Sequence, residues 1–239
     1  MQRADQHASR ALPRPAQVRL FRKLLLAWFR DAGRQFYWRG ASASEYERIV
    51  VEVLLQRTQA ASVESFLPRF LSHFPTWEAL AGAEQGALEE LLRPLGLWRR
   101  RAAALSGLAC ARVGAGAFPS ERTALERFPA VGQYVANAVE LFVFNGRKPL
   151  VDSNFARIIE RYFGQRVRAD IRRDPWIQEI AHRLVDDEKA IDINWAILDL
   201  GAVVCKPRTP ACTTCPLRVT CKYARSLEAS SANDRSTGT

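Results

Sequence analysis

Cys205-Lys-Pro-Arg-Thr-Pro-Ala-Cys212-Thr-Thr-Cys215-Pro-Leu-Arg-Val-Thr-Cys221 gathers four of the chain's five cysteines into seventeen residues, spaced C-x6-C-x2-C-x5-C. Residues Met1 to Ala16 are polar and hold no apolar signal segment, so the expected compartment is the cytoplasm. There such clustering argues against disulfides and for a metal centre. Two chemistries compete. Zinc ribbons pair two short knuckles across a longer gap, whereas four thiolates at unequal short spacings in one loop can wrap a larger iron–sulfur cluster. The uneven spacing, stiffened by Pro207, Pro210 and Pro216, favours the wrap. Cys110, within the apolar run Ala103 to Val113, reads as a buried small hydrophobe.

Outward from this loop the 239 residues, 48% hydrophobic, read as successive helices without a run of alternating strands or a fixed-period repeat. Helical spacing of apolar residues predicts Glu45 to Thr58, Trp77 to Ala81, Gln85 to Leu92, Arg99 to Val113, Glu121 to Phe128, Gln133 to Phe144, Ser153 to Tyr162 and Trp176 to Leu184. Pro94-Leu95-Gly96, Pro129 to Gly132 and Asn145-Gly146 are the turns between them. Residues 1–16 and 226–239 have the composition of flexible tails. No stretch approaches the ~20 apolar residues of a membrane span.

A formal net charge of +10 favours a polyanionic partner, with nucleic acid foremost. Leu125 to Ala136 joins two helices by a Pro-to-Gly turn. This is either an ordinary connection or a hairpin whose second helix offers backbone N–H groups to a DNA phosphate through Val131, Gly132 and Gln133. Asp152 precedes a helix and suits an N-cap. Glu52 interrupts the apolar run Ile49 to Leu55, so it is either paired structure or a site residue.

Taken together, the cysteine spacing, the segment Asp192 to Cys205, and Pro129-Ala-Val-Gly132 resemble the endonuclease III and MutY family, the iron–sulfur DNA glycosylases of the helix-hairpin-helix superfamily. The resemblance covers roughly Leu20 to Tyr223, with Ala130 where the family's first hairpin glycine is usual. It implies an all-α protein of two lobes: a six-helix barrel with the hairpin over 40–146, a cluster lobe of 17–39 with 147–225, and a catalytic cleft between them. It implies a structural [4Fe–4S] cluster on Cys205, Cys212, Cys215 and Cys221, with Lys206 and Arg208 toward DNA. Asp152 takes the place of the catalytic carboxylate and Asn154 that of a site asparagine. Glu52, in Val51-Glu-Val-Leu-Leu-Gln-Arg-Thr58, takes that of the acid that protonates the departing base. Gln56 and Arg57 then face DNA, with Leu97 and Trp98 in the loop that wedges into the stack as a nucleotide flips out.

Tyr134 stands where endonuclease III carries its Schiff-base lysine, and a tyrosine forms no imine. With Glu52 and Asp152-Ser-Asn-Phe155, it looks most like the thermophilic G·T mismatch glycosylases. Phe36-Tyr-Trp-Arg39 resembles that branch's P-W-R segment. The short stretch after Cys221 weighs against adenine as target, because MutY enzymes generally carry a further domain. The expectation is a monomeric, monofunctional enzyme, nucleoid-associated through DNA and without lyase activity, that removes thymine or uracil opposite guanine in duplex DNA. Alternatives are a MutY-like adenine glycosylase, an enzyme for oxidised pyrimidines, and a non-catalytic iron–sulfur DNA-binding module.

Overall fold

The computed structural model describes residues 10–236, and all regular structure among them is helical. In chain order the helices are α1 (Pro15–Ala32), α2 (Glu45–Leu54), α3 (Ala60–His73), α4 (Trp77–Ala81), α5 (Gln85–Leu92), α6 (Trp98–Ala115), α7 (Arg122–Leu125), α8 (Gln133–Phe142), α9 (Ser153–Phe163), α10 (Pro175–Val185), α11 (Ala190–Val203) and α12 (Lys222–Ser236). Among the described residues no helix is long and apolar enough to cross a membrane. The chain divides into two units, Gln35–Gly146 and the flanking residues before and after it.

In Gln35–Gly146, α2 is charged in its first turn and buried on every side over residues 49–54. It buries Ile49, Val50, Val51, Val53 and Leu54 against α3, α6 and α8. Ser44 and Glu47 close a capping box at its start. Residues 35–39, assigned by sequence to the other lobe, group here. Phe36 stacks on Trp38 at 4.5 Å, and Tyr37 donates to Glu47 at 2.7 Å. Helix α3 is absent from the sequence expectation because Pro68 interrupts its pattern. Burial of Val63, Phe66, Leu67 and Phe70, each contributing roughly 1.5–3 kcal/mol, offsets the lost hydrogen bond. Cys110 corrects the sequence reading: it is exposed. Helix α6 turns Ala102, Leu105, Leu108 and Ala109 inward, and the next residue points about 100° away.

In the other unit α9 carries Phe155, Ala156, Ile158, Ile159, Tyr162 and Phe163 inward, against α10, α11 and α12. Phe21 of α1 meets Tyr162 edge-on at 4.9 Å. Of the expected N-terminal tail, residues 1–9 lie outside the described residues. Arg10 lies over the Trp176 ring at 4.6 Å, and α1 already begins at Pro15. The expected tail from 226 is instead helical as far as Ser236. Helix α12 buries Ala224, and its Glu228 pairs with Arg218 at 2.8 Å.

Candidate active site

Two helices of the Gln35–Gly146 unit bring Glu52 and Tyr134 together. Glu52 is 4% exposed on α2, and the Tyr134 hydroxyl at the start of α8 donates to its Oε2 at 2.8 Å. A carboxylate in that apolar surround is tolerable because it is hydrogen-bonded. Just before Tyr134 the hairpin turns at Ala130, whose φ of +62° is left-handed. A glycine would adopt this conformation freely, whereas the Ala130 Cβ costs roughly 1–2 kcal/mol. Gly132 caps α8 without a side-chain acceptor, and a Cβ placed on it would meet nothing within 4 Å. Its own N–H is engaged within the turn, donating to the Ala130 carbonyl at 3.2 Å. Val131 buries its side chain and its N–H donates to the Phe128 carbonyl at 3.1 Å, so both are already engaged within the hairpin rather than offered to a phosphate as predicted. Arg122 braces the hairpin, donating to Glu126 and Asn137 at 2.7 Å each, and to Glu140.

Gln56 and Arg57 lie in a turn, because α2 stops at Leu54 rather than running to Thr58. Both are exposed, and Arg57 has φ +60°. Leu97, 51% exposed with φ +50°, is the N-cap of α6. Trp98 follows it, with Arg99 over its ring at 4.2 Å and Arg93 at 5.4 Å. Sequence reasoning missed Arg101, which is 5% exposed beneath both turns. Its position on the same helical stripe as Leu105 and Leu108 was the available signal.

In the second unit Asp152 is the N-cap of α9: its Oδ1 accepts from the Phe155 N–H at 2.8 Å. The capping role thus holds, while Oδ2 accepts from Asn154 Nδ2 at 2.9 Å. Burial pushes the Asp152 carboxyl above its ordinary range, opposed by these hydrogen bonds and by the Arg157 charge. Asn154 Oδ1 accepts from Arg157 at 2.7 Å. Arg157 also donates to the carbonyls of Gly201 and Cys205 at 2.7 and 2.8 Å. The segment leading into Asp152 is held by the fully buried Asn194 of α11. Its Oδ1 accepts from the Leu150 N–H at 2.7 Å and its Nδ2 donates to the Lys148 carbonyl at 3.1 Å. Gly201 lets α11 approach α9: a Cβ there would stand 2.6 Å from that of Asn154. Neither Asn194 nor Gly201 carries a local sequence signal of this role.

The cysteine loop docks on α9. Arg161 donates to the Lys206 and Pro207 carbonyls at 2.8 and 2.7 Å and to Cys205 Sγ at 3.3 Å. Tight turns over Cys212–Thr214 and Arg218–Thr220 end at Cys215 and Cys221. All four thiols are free and half-buried, while Lys206 and Arg208 are exposed. Burial raises the Cys212 and Cys221 thiols and pushes Cys215 up to about 11, and the neighbouring cysteines add to each rise. The four sulfurs therefore share one electrostatic neighbourhood in which thiolates repel, a donor set that a bound cationic group would stabilise. Among the described residues no three His, Cys, Asp or Glu side chains form a group able to hold a metal ion. A single zinc requires sulfurs at ~2.3 Å from one point.

Residues 50–175 match the HhH-GPD superfamily of base excision DNA repair proteins, across both the Glu52–Tyr134 pair and the Asp152 cap. The chain belongs to that superfamily. Among its relatives is a thymine-DNA glycosylase of Aeropyrum pernix, 36% identical over 216 residues that cover 87% of this chain and 95% of that protein. A thymine/uracil-DNA glycosylase of Methanothermobacter thermautotrophicus is 30% identical, covering 86% and 93%. The solved structure of a thermostable thymine-DNA glycosylase superposes with a TM-score of 0.80 at 29% identity, covering 88% of this chain and 98% of that one. HhH-GPD membership agrees with the all-helical architecture.

Proposed function

We propose that this HhH-GPD protein is a monofunctional DNA glycosylase that hydrolyses the N-glycosidic bond of thymine or uracil opposite guanine in duplex DNA. The observation that carries this reading is the Tyr134–Glu52 hydrogen bond: by the resemblance Tyr134 stands at the Schiff-base lysine position, and a phenol tied to a carboxylate forms no imine. The relatives named for thymine and uracil, matched over nearly their whole lengths, support the choice of base.

As the bond from sugar C1′ to the base nitrogen breaks, its electron pair leaves with the base and positive charge develops on the sugar. The Asp152 carboxylate, oriented through Oδ1 by the Phe155 N–H and through Oδ2 by Asn154, stabilises that charge. Water then adds at C1′ and gives up a proton, leaving an abasic site. Glu52 takes the part of the acid that protonates the departing base, as the resemblance implies, and Tyr134 orients its carboxyl through Oε2. The neighbouring thiols, spaced C-x6-C-x2-C-x5-C, fit a [4Fe–4S] cluster. When bound, the cluster would hold the loop that presents Lys206 and Arg208, while hydrolysis proceeds on the chain's own residues.

The test offers the purified protein duplexes carrying G·T, G·U, adenine opposite 8-oxoguanine, or thymine glycol, with and without alkali. G·T and G·U strands should break only after alkali. Nicking without alkali would remove the monofunctional claim, product from adenine or thymine glycol alone would move the enzyme to another branch, and binding without product would leave a non-catalytic module.

A further inference from the structure

The two exposed turns that carry Arg57 and Leu97 share a feature that the catalytic chemistry does not use. Each presents a non-glycine residue with positive φ, a conformation that persists only where its surroundings hold it. The same group lies beneath both. Arg101 donates to the carbonyls of Gln56 at 2.7 Å and Leu95 at 2.6 Å, to the carbonyl of Gly96, and to Thr58 Oγ1. Two of these acceptors flank Arg57 and two immediately precede Leu97. All four are neutral, Arg101 makes no ion pair among the described residues, and its buried Nε has no hydrogen-bond partner. A buried guanidinium without a carboxylate is expensive to keep, and four oxygens drawn from two separate turns are what it holds in return.

We infer that Arg101 is a positioning residue for base extrusion: its guanidinium fork locks the 56–58 and 95–97 turns together in the strained conformation that presents Arg57 and Leu97 to the duplex. The inference rests on the glycosylase reading for its substrate. A planar fork can span both turns at once, and a lysine ammonium, a single point, cannot. Arg101 touches neither the base nor the sugar. It acts before bond cleavage, on the step whose cost depends on how firmly the target base is paired and stacked.

Arg101→Lys keeps the buried charge and removes the span. In the free protein, amide exchange in peptides covering 55–58 and 95–98 should rise together, by about tenfold, while α2 and α8 keep their protection. Single-turnover excision from a G·T duplex should fall roughly tenfold. Excision of uracil opposite an abasic site, where no pair has to be broken, should change little. Equal losses on the two duplexes, or raised exchange in only one turn or neither, would overturn the inference. Should the lysine variant not fold, Thr58→Val removes one acceptor at nearly constant shape. It should give the same pattern more weakly, and wild-type exchange and excision in that variant would overturn the proposal equally. A wild-type protein that excises neither base defeats the glycosylase reading instead, and the exchange measurement still decides the role of Arg101.

Discussion

Gly201→Ala tests whether the Asp152 site depends on the closeness of α9 and α11. The added Cβ would stand 2.6 Å from Asn154 Cβ and 3.3 Å from both its Cα and its Cγ. Asn154 Cα and Cβ are fixed to the backbone, so rotating the side chain cannot relieve the 2.6 Å contact. Ordinary contact begins near 3.4 Å, so the start of α9 must retreat by about 0.8 Å, from 2.6 to 3.4 Å. Overpacking of this kind costs about 1–3 kcal/mol, which in a chain of this length lowers Tm by roughly 2–12 °C. The functional loss should be larger than the stability loss suggests. Asn154 holds Asp152 Oδ2 at 2.9 Å and is held by Arg157 at 2.7 Å, and a misplacement near 1 Å can cost on the order of a hundredfold in rate. Single-turnover excision from a G·T duplex should fall roughly ten- to a hundredfold while duplex binding persists. Adding Asn154→Gly removes the clashing Cβ and should restore Tm relative to Gly201→Ala alone, without restoring excision. A Gly201→Ala protein with wild-type Tm and rate would refute the close-approach argument.

Asp152→Asn keeps an N-cap of equal quality, so it should abolish excision while leaving the fold intact. The folded carboxyl is raised above its free value of ~3.9. The folded state therefore binds the extra proton, and stability falls as pH rises from the free to the raised value. Above that window the asparagine variant should melt slightly higher than the parent in calorimetry. Because catalysis needs the ionised form, the acid limb of the wild-type rate profile should lie above the free aspartate value; a limb at or below it would exclude Asp152. Ala130→Gly should stabilise by about 0.5–1 kcal/mol, the left-handed strain relieved less the entropy of a freer unfolded chain. That appears as a rise of a few degrees in Tm, and a fall would show the turn relaxed in solution. Cys215→Ser should lower bound iron and acid-labile sulfide from about four of each per chain. Unchanged content would remove Cys215 from the ligand set.

Several features were legible because they are local. Gly96 and Asn145 turn with positive φ where Pro94-Leu-Gly and Asn145-Gly146 predict turns. The spans Trp77–Ala81 and Gln85–Leu92 follow their apolar periodicity to the residue. Helix α3 was hidden because Pro68 breaks the very pattern that burial of Phe66 and Phe70 maintains in space. The stop of α2 at Leu54 was hidden because the left-handed Arg57 is held from forty-four residues away, by Arg101.

By itself the sequence determined the helical class, the four thiols brought together by spacing, the hairpin, and the residue types at Glu52, Tyr134 and Asp152. These follow from short-range periodicity, turn chemistry and side-chain identity. Only the tertiary structure decided that Tyr134 donates to Glu52 across eighty-two residues, that Asn194 and Gly201 set the approach to Asp152, and that Arg101 braces two turns at once. Each of these depends on where packing brings distant backbone, which no local pattern in the chain encodes.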